Sequence, residues 1–159
     1  MPYVKRWSFI LIKHRKKVKT GYFILNWGTY EDSTFVAVGL PFDLLEKKYR
    51  KLAEPENKEV LKENRAEIEP LIIQQNKGFF WCKDGDAKRA RVSILWLGDW
   101  KDDWEHYDIL LHELFHAIII ILGDHRGMLA ARESEIFYED EAMAYQLEYL
   151  FRQCRRKFR

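Results

Sequence analysis

Cysteine and proline are scarce in this chain of 159 residues, which contains two and four of them respectively. Cys82 and Cys154 form no spacing motif, which excludes a disulfide scaffold and favours a reducing compartment. The chain also lacks a long apolar run, because the longest, 109–122, falls short of the roughly 20 residues that span a bilayer. The run at 9–12 is too short for the core of a signal peptide. We therefore expect a cytoplasmic protein with no membrane partner.

The sequence also has no large excess of positive or negative charge. Charged residues make up 33% of the sequence, yet the net charge is only +2, so no general attraction to nucleic acid follows. Basic runs at 13–19 and 152–159 are the exceptions, and runs near chain ends are usually solvated. We therefore expect no nucleic-acid partner. Hydrophobic residues account for 47% of the chain, which is enough to build one domain over residues 1–159.

Short runs rich in β-branched and aromatic residues predict strands, at 3–12, 20–27 and 34–40. A β-hairpin is predicted from 78–82 and 90–97, with Asp84-Gly85 at its turn. The second hairpin strand is followed by a polar connector, 99–107, which contains two tryptophans. These segments predict a small, mainly antiparallel sheet.

Apolar residues at three-and-four spacing predict the helices. The region 42–75 is predicted to be helical, interrupted by Pro55 and ended or kinked by Pro70. A second helix is predicted over 109–122, and a last helix over 140–153. Four residues of the last helix share one apolar stripe: Met143, Leu147, Leu150 and Cys154. The fold class that follows is α+β, with the sheet packed on the helix at 109–122 and on the last helix.

The segment 109–122 contains His112, Glu113 and His116, in the histidine–glutamate–x–x–histidine pattern. Residues four apart lie one turn apart on the same helix face, so both imidazoles can reach one ion. Glu113 lies about 100° around the helix from His112, beside that site. Eleven of the fourteen residues are apolar, which predicts a buried helix whose polar groups need partners. A divalent cation would satisfy all three groups, and a hydrogen-bonded polar seam in the core is the alternative.

A catalytic zinc site has three protein ligands and one open position. The better candidate for the third ligand is Glu141, near the start of the last helix. Small Ala144 would let that helix approach closely, and Tyr145 lies one turn after Glu141. Glu139 and His125 stay open as alternatives for the third ligand.

These residues resemble the gluzincin group of zinc metallopeptidases. His112 and His116 are followed after a gap of 24 residues by Glu141 and then Ala144-Tyr145. The pattern is similar, more narrowly, to small phage- and prophage-encoded metallopeptidase-like proteins, over about the last third of the chain plus an expected edge strand at 91–97. The resemblance implies a zincin-like fold, with zinc held by His112, His116 and Glu141.

The same resemblance implies that Glu113 is the general base of a peptide-bond hydrolysis. One position departs from it, because Tyr145 stands where the best-known gluzincins carry an aspartate that orients a metal-bound histidine. Tyr145, Tyr138 or His125 is expected to stabilise the oxyanion. The strand at 91–97 is expected to align an extended peptide. The expected partner is a peptide or protein substrate, in the host cytoplasm if the chain is phage-encoded.

A different class of function is also open. The chain would then be a zinc-stabilised module of phage origin that binds another protein without turnover. It would lose much of its stability on chelation and would cleave no peptide.

Overall fold

Four strands and five α-helices form the described part of the chain. The computed structural model describes residues 20–28, 32–74, 77–124 and 136–158, without the side chains of 123, 124 and 136–141. The strand predicted at 3–12 lies outside these residues. The strands are β1 (Gly21–Asn26), β2 (Ser33–Val38), β3 (Gly78–Lys83) and β4 (Val92–Leu97). The helices are α1 (Phe42–Leu52), α2 (Val60–Glu63), α3 (Arg65–Gln74), α4 (Trp104–Ile118) and α5 (Ile136–Phe158).

The sheet is mixed, with strand order β1-β2-β4-β3. β1 pairs with β2 and β3 pairs with β4 antiparallel, whereas β2 and β4 run parallel, with Phe35 opposite Ile94. The expectation that 91–97 forms an edge strand is therefore wrong, because β4 lies between β2 and β3. All six residues of β4 are buried, as is typical of a strand covered on both faces. Among the described strands, β3 and β1 form the edges.

Helices cover both faces of the sheet, so the domain has three layers. Alternate residues of each strand point to opposite faces. Phe23, Val36 and Leu95 face α4 and α5 in one core. Tyr22 and Ile94 face α1 to α3 in the other. The prediction of an α+β domain with the sheet on α4 and α5 is confirmed, and the layer of α1 to α3 on the far face is an addition to it.

The region predicted as one interrupted helix, 42–75, contains three helices. Pro55 is the first residue of a short 3-10 turn after α1. The N–H at this position would make no hydrogen bond within the helix, so a proline is tolerated there. Pro70 lies inside α3, which continues to Gln74. Pro70 therefore does not end the helix.

The hairpin prediction is confirmed for its strands. β3 and β4 pair from Gly78 opposite Leu97 to Lys83 opposite Val92. Residues 84–91 connect the two strands, and Asp84-Gly85 begins this loop.

Helix α4 begins five residues before the predicted start, at Trp104. Asp103 is its N-cap, and the Asp103 side chain accepts a hydrogen bond from the backbone N–H of His106 at 3.0 Å. The segment 99–107 is thus a connector only up to this cap. After Ile118 the helix widens into a π-helical segment, Ile119–Asp124.

Glycine at position 78 allows α4 to lie close to the sheet. A Cβ at Gly78 would be 3.2 Å from Ile109 Cγ2 of α4 and 3.1 Å from the Trp96 carbonyl oxygen. Both distances are shorter than ordinary van der Waals contacts of a Cβ. The missing side chain therefore sets how near α4 approaches β3 and β4.

Helix α5 is longer than predicted and packs beside α4. Its predicted apolar stripe is confirmed, since Met143, Leu150 and Cys154 are buried and Leu147 is half-buried. Ala144 is exposed, so it does not provide the close approach expected of it. Among the described helices, none is long and apolar enough to cross a membrane.

Candidate metal centre

His112 and His116 lie together on one exposed face of α4. Their Nε2 atoms are 3.0 Å apart, and the two rings are inclined by 80° with centroids separated by 4.6 Å. Both side chains are exposed. The expectation that the helix is buried all round is therefore wrong, because α4 buries one face and presents the histidine face to solvent.

The distance between the two Nε2 atoms fits binding of one metal ion by both histidines. In a tetrahedral zinc site with Zn–N distances of about 2.0–2.1 Å, two nitrogens lie about 3.3–3.4 Å apart. The observed 3.0 Å requires only a small opening of the pair. The same distance also suits a hydrogen bond from one imidazole to the other. The donor set, two imidazoles on one helix face, is one that zinc accepts.

Glu113 is buried beneath the histidine pair, on the side away from solvent. Only 8% of its surface is exposed. Burial raises the pKa of its carboxyl group, and the nearby imidazoles of His112 and His116 act in the opposite direction. The backbone N–H of Phe80, on β3, also lowers the pKa by hydrogen bonding to the carboxylate. The carboxyl group is therefore held between the edge strand and the histidine pair, with a pKa above its ordinary value.

The N-terminal turn of α4 contains a second histidine site of a different kind. His106 Nδ1 lies 2.5 Å from Asp103 Oδ1, and His106 Nε2 lies 3.0 Å from Asp99 Oδ1. Both ring nitrogens face carboxylates, so the ring satisfies both contacts only when it is protonated. The ring is buried, with its edge towards Trp100. This arrangement stabilises the start of the helix that carries His112 and His116.

The third-ligand candidates are only partly placed. Glu141 and Glu139 lie in the first turns of α5, and their side chains are outside the described set. His125 is outside the described residues altogether. Tyr145 is 64% exposed on α5. Among the described side chains, no group of three or more histidine, cysteine, aspartate or glutamate residues is placed to hold a metal, so the choice of Glu141 stays a prediction.

Aromatic side chains are exposed on the same side of α4 as the histidines. Trp104 is 84% exposed and Phe115 is 54% exposed. Beside Trp104, a groove of about 520 Å³ runs between α4 and α5. It is lined by Asp102, Asp103, Trp104, Tyr107, Asp108, Leu111, Phe151 and Arg155. The lining of the groove extends along α4 as far as Leu111, the residue before His112.

A further cavity, of about 300 Å³, lies on the other face of the sheet. Tyr49 and Leu52 of α1 form one wall, and the start of β4 forms another. The sheet separates this cavity from α4, so it does not belong to the histidine site.

Comparison with known proteins identifies no relative of this chain. No protein-family model, no curated protein and no solved structure matches it. The likeness to gluzincins therefore rests on the residues quoted above and stays a prediction.

Two parts of the site were missed from the sequence. Asp103 could have been recognised as an N-cap from the sequence. An aspartate just before a run of apolar residues at helical spacing is typical of a helix N-cap. The Phe80 N–H carries none, because a main-chain donor has no residue-type signature. Only the pairing of strands shows which backbone groups face α4.

Proposed function

We propose that this chain is a zinc-dependent metallopeptidase of zincin-like fold, holding zinc through His112, His116 and Glu141. The observation that supports the proposal most directly is the 3.0 Å approach of the His112 and His116 Nε2 atoms beside a buried glutamate. A carboxylate and two imidazoles form a common ligand set for catalytic zinc.

Zinc, when bound, supplies a Lewis acid that polarises a carbonyl group and lowers the pKa of water towards about 7. Glu113 accepts a proton from the attacking water as the new C–O bond forms. It then returns the proton to the amine nitrogen as the C–N bond breaks. Tyr145 is the proposed oxyanion donor, and Tyr138 and His125 are the other candidates.

The peptide is proposed to lie along β3. That strand is an edge among the described strands, and edge strands commonly bind extended peptides by main-chain hydrogen bonds. Because Phe80 of β3 also contacts Glu113, a peptide on this edge would lie beside the general base. We therefore propose that β3, and not the strand at 91–97, aligns the extended peptide.

The experiment combines metal analysis with turnover measured on a mixed peptide library. The wild-type chain, purified without added metal, is expected to contain one zinc per chain. Ala substitutions at His116 and Glu141 should each remove most of it. Glu113→Gln should retain the zinc and lower kcat by roughly 10²–10⁴-fold, the usual contribution of a general base.

Glu105→Gln is the matched control, because it makes the same chemical change at an exposed position of the same helix. It should retain both zinc and turnover. Equal turnover in Glu113→Gln and the wild type would reject the proposed mechanism. Full zinc content in His116→Ala would reject the proposed metal site.

The second candidate is a zinc-stabilised module that binds a protein without turnover. The exposure of Trp104 and Phe115 favours it, because large exposed aromatic groups are enriched at protein interfaces. Stoichiometric zinc combined with no cleavage of any peptide in the library would favour this candidate over the peptidase.

A further inference from the structure

We infer that the groove between α4 and α5 binds an apolar side chain flanked by a lysine or arginine of the substrate peptide, about three residues from the scissile bond. The binding part stands on the groove alone, and the spacing part rests on the proposed peptidase function.

The groove has the shape and surface of a side-chain binding site. Its volume of about 520 Å³ is within the range of small-ligand pockets, about 300–1,000 Å³. Trp104, Leu111 and Phe151 provide apolar walls. Trp104 is 84% exposed, so covering its indole ring would remove a large apolar surface from water.

The charges of the groove select a cationic partner. The lining contains three carboxylates, those of Asp102, Asp103 and Asp108, and one guanidinium, that of Arg155. Protonated His106 offsets Asp103. Asp102, which accepts a hydrogen bond from the Tyr107 hydroxyl at 2.7 Å, and Asp108 remain as the other two carboxylates on the α4 side of the groove. Arg155 lies on the opposite wall, on α5, so a peptide cation is expected against α4. A flanking glutamate in the peptide would meet these two carboxylates and be repelled.

The groove is aligned with the histidine pair along the axis of α4. Asp108 is one helical turn before His112, and Leu111 directly precedes it. From Asp108 to the midpoint of His112 and His116 is six residues, or about 9 Å at 1.5 Å per residue. An extended peptide advances about 3.3 Å per residue. For a peptide that follows the exposed face of α4 from the groove to the histidines, instead of the β3 edge, a side chain held in the groove therefore lies about three residues from the bond beside the histidines.

The binding test uses the full-length Glu113→Gln protein, so that no peptide is consumed. Two fluorescein-labelled peptides are compared by anisotropy, one with a leucine between two lysines and one with a leucine between two glutamates. The lysine peptide is expected to bind at least tenfold more tightly, with an affinity that falls as salt is added. Its binding should also shift the emission of Trp104 to shorter wavelength, and Trp104→Phe should abolish that shift.

Two pairs of variants locate the binding. Trp104→Ala should weaken the lysine peptide at least tenfold, whereas Ile73→Ala, an exposed apolar residue on the far layer, should not. Asp108→Asn should weaken it about threefold to tenfold, whereas Asp43→Asn, on α1, should leave it unchanged. Equal effects within each pair, or equal affinity for the two peptides, would overturn the inference.

The spacing is tested with the wild-type enzyme and longer peptides that carry the same lysine–leucine–lysine segment, with products identified by mass spectrometry. Cleavage about three residues from the leucine is expected. Cleavage without any preferred distance would overturn the inference while the peptidase proposal stands. Tight binding of the lysine peptide with no cleavage would instead overturn the peptidase proposal and the spacing, and leave the groove as a binding site.

Discussion

His106 is a residue whose ionisation should be visible in the stability of the molecule. Burial on its own lowers the pKa of His106, but the hydrogen bonds and charges of Asp103 and Asp99 together outweigh it and raise the pKa above its ordinary value of 6.5. A group with a raised folded-state pKa stabilises fully below its unfolded pKa, and that stabilisation is lost as the pH rises through the folded pKa. The contribution of His106 is therefore fully present below its ordinary pKa of 6.5 and is lost as the pH rises through the higher pKa of the folded state.

We predict that His106→Gln flattens the pH dependence of the free energy of unfolding. Between about pH 6 and about pH 8.5, the wild type should lose more stability than the variant, because only the wild type releases the proton of His106. Urea denaturation of both proteins at the two pH values measures the difference. Asp99→Asn should reduce the loss as well, since it removes one of the two carboxylates. An unchanged slope in His106→Gln would show that folding does not raise the pKa of His106.

At this scale the sequence predicted which side chains of α4 lie together better than it predicted their surroundings. The four-residue spacing placed His112 and His116 on one face, and their nitrogens lie 3.0 Å apart. The spacing also placed Glu113 to one side of them. Which side is buried could not be predicted, because it depends on where β3 lies relative to α4.

At the scale of elements, helix α4 depends on its cap. Asp103 accepts the His106 N–H and also pairs with the His106 ring, so one side chain performs two functions. Substitutions can separate them. Serine retains a capping oxygen without the charge, and alanine retains neither.

We predict that Asp103→Ala lowers the free energy of unfolding by about 0.5–2 kcal/mol through loss of the cap. Measured at a mildly alkaline pH, where the His106 contribution is small, Asp103→Ser should recover most of this loss. Asp102→Asn is the neighbouring control, because it retains an acceptor for the Tyr107 hydroxyl, and as an exposed substitution it should stay within about 0.5 kcal/mol of the wild type. If alanine and serine at position 103 were equally destabilising at that pH, the capping role would be excluded.

The helices and strands were largely predictable from the sequence, but which elements lie next to one another was not. The β-branched and aromatic runs of β1 and β2 and the apolar stripe of α5 appear directly in the sequence. The position of β4 did not, because its apolar run suits any strand and only the parallel pairing of Val36 with Leu95 places it inside the sheet. The predicted start of α4 is wrong by five residues. The polar segment 99–107 is typical of a connector, although Asp103 within it marks the start of a helix.

At the scale of the whole molecule, the C-terminal end of α5 joins several elements. Phe158 is buried and stacks on Trp100 with ring centroids 4.0 Å apart, and its edge meets Phe23 of β1 at 5.6 Å. The final turn of the last helix is thereby fixed to the sheet and to the segment that leads into α4.

We predict that Phe158→Ala destabilises the domain by about 3–5 kcal/mol, the usual loss for a buried phenylalanine. That is a large part of the roughly 5–15 kcal/mol that stabilises a typical domain. Thermal and urea unfolding measure the loss. Phe115→Ala, which truncates the same residue type at a position that is 54% exposed, should change the stability far less. Comparable losses in both variants would mean that the contacts of Phe158 contribute little.

Gly78 has a consequence for how this protein tolerates change. The hydrogen atom at this position fixes the gap between helix and strand, and two residues further along β3 the Phe80 N–H reaches Glu113. A single methyl group added at position 78 would act as a wedge between β3 and α4 and displace the histidine pair without altering either histidine. The placement of the pair thus depends on Gly78, although this residue contributes no atom to it.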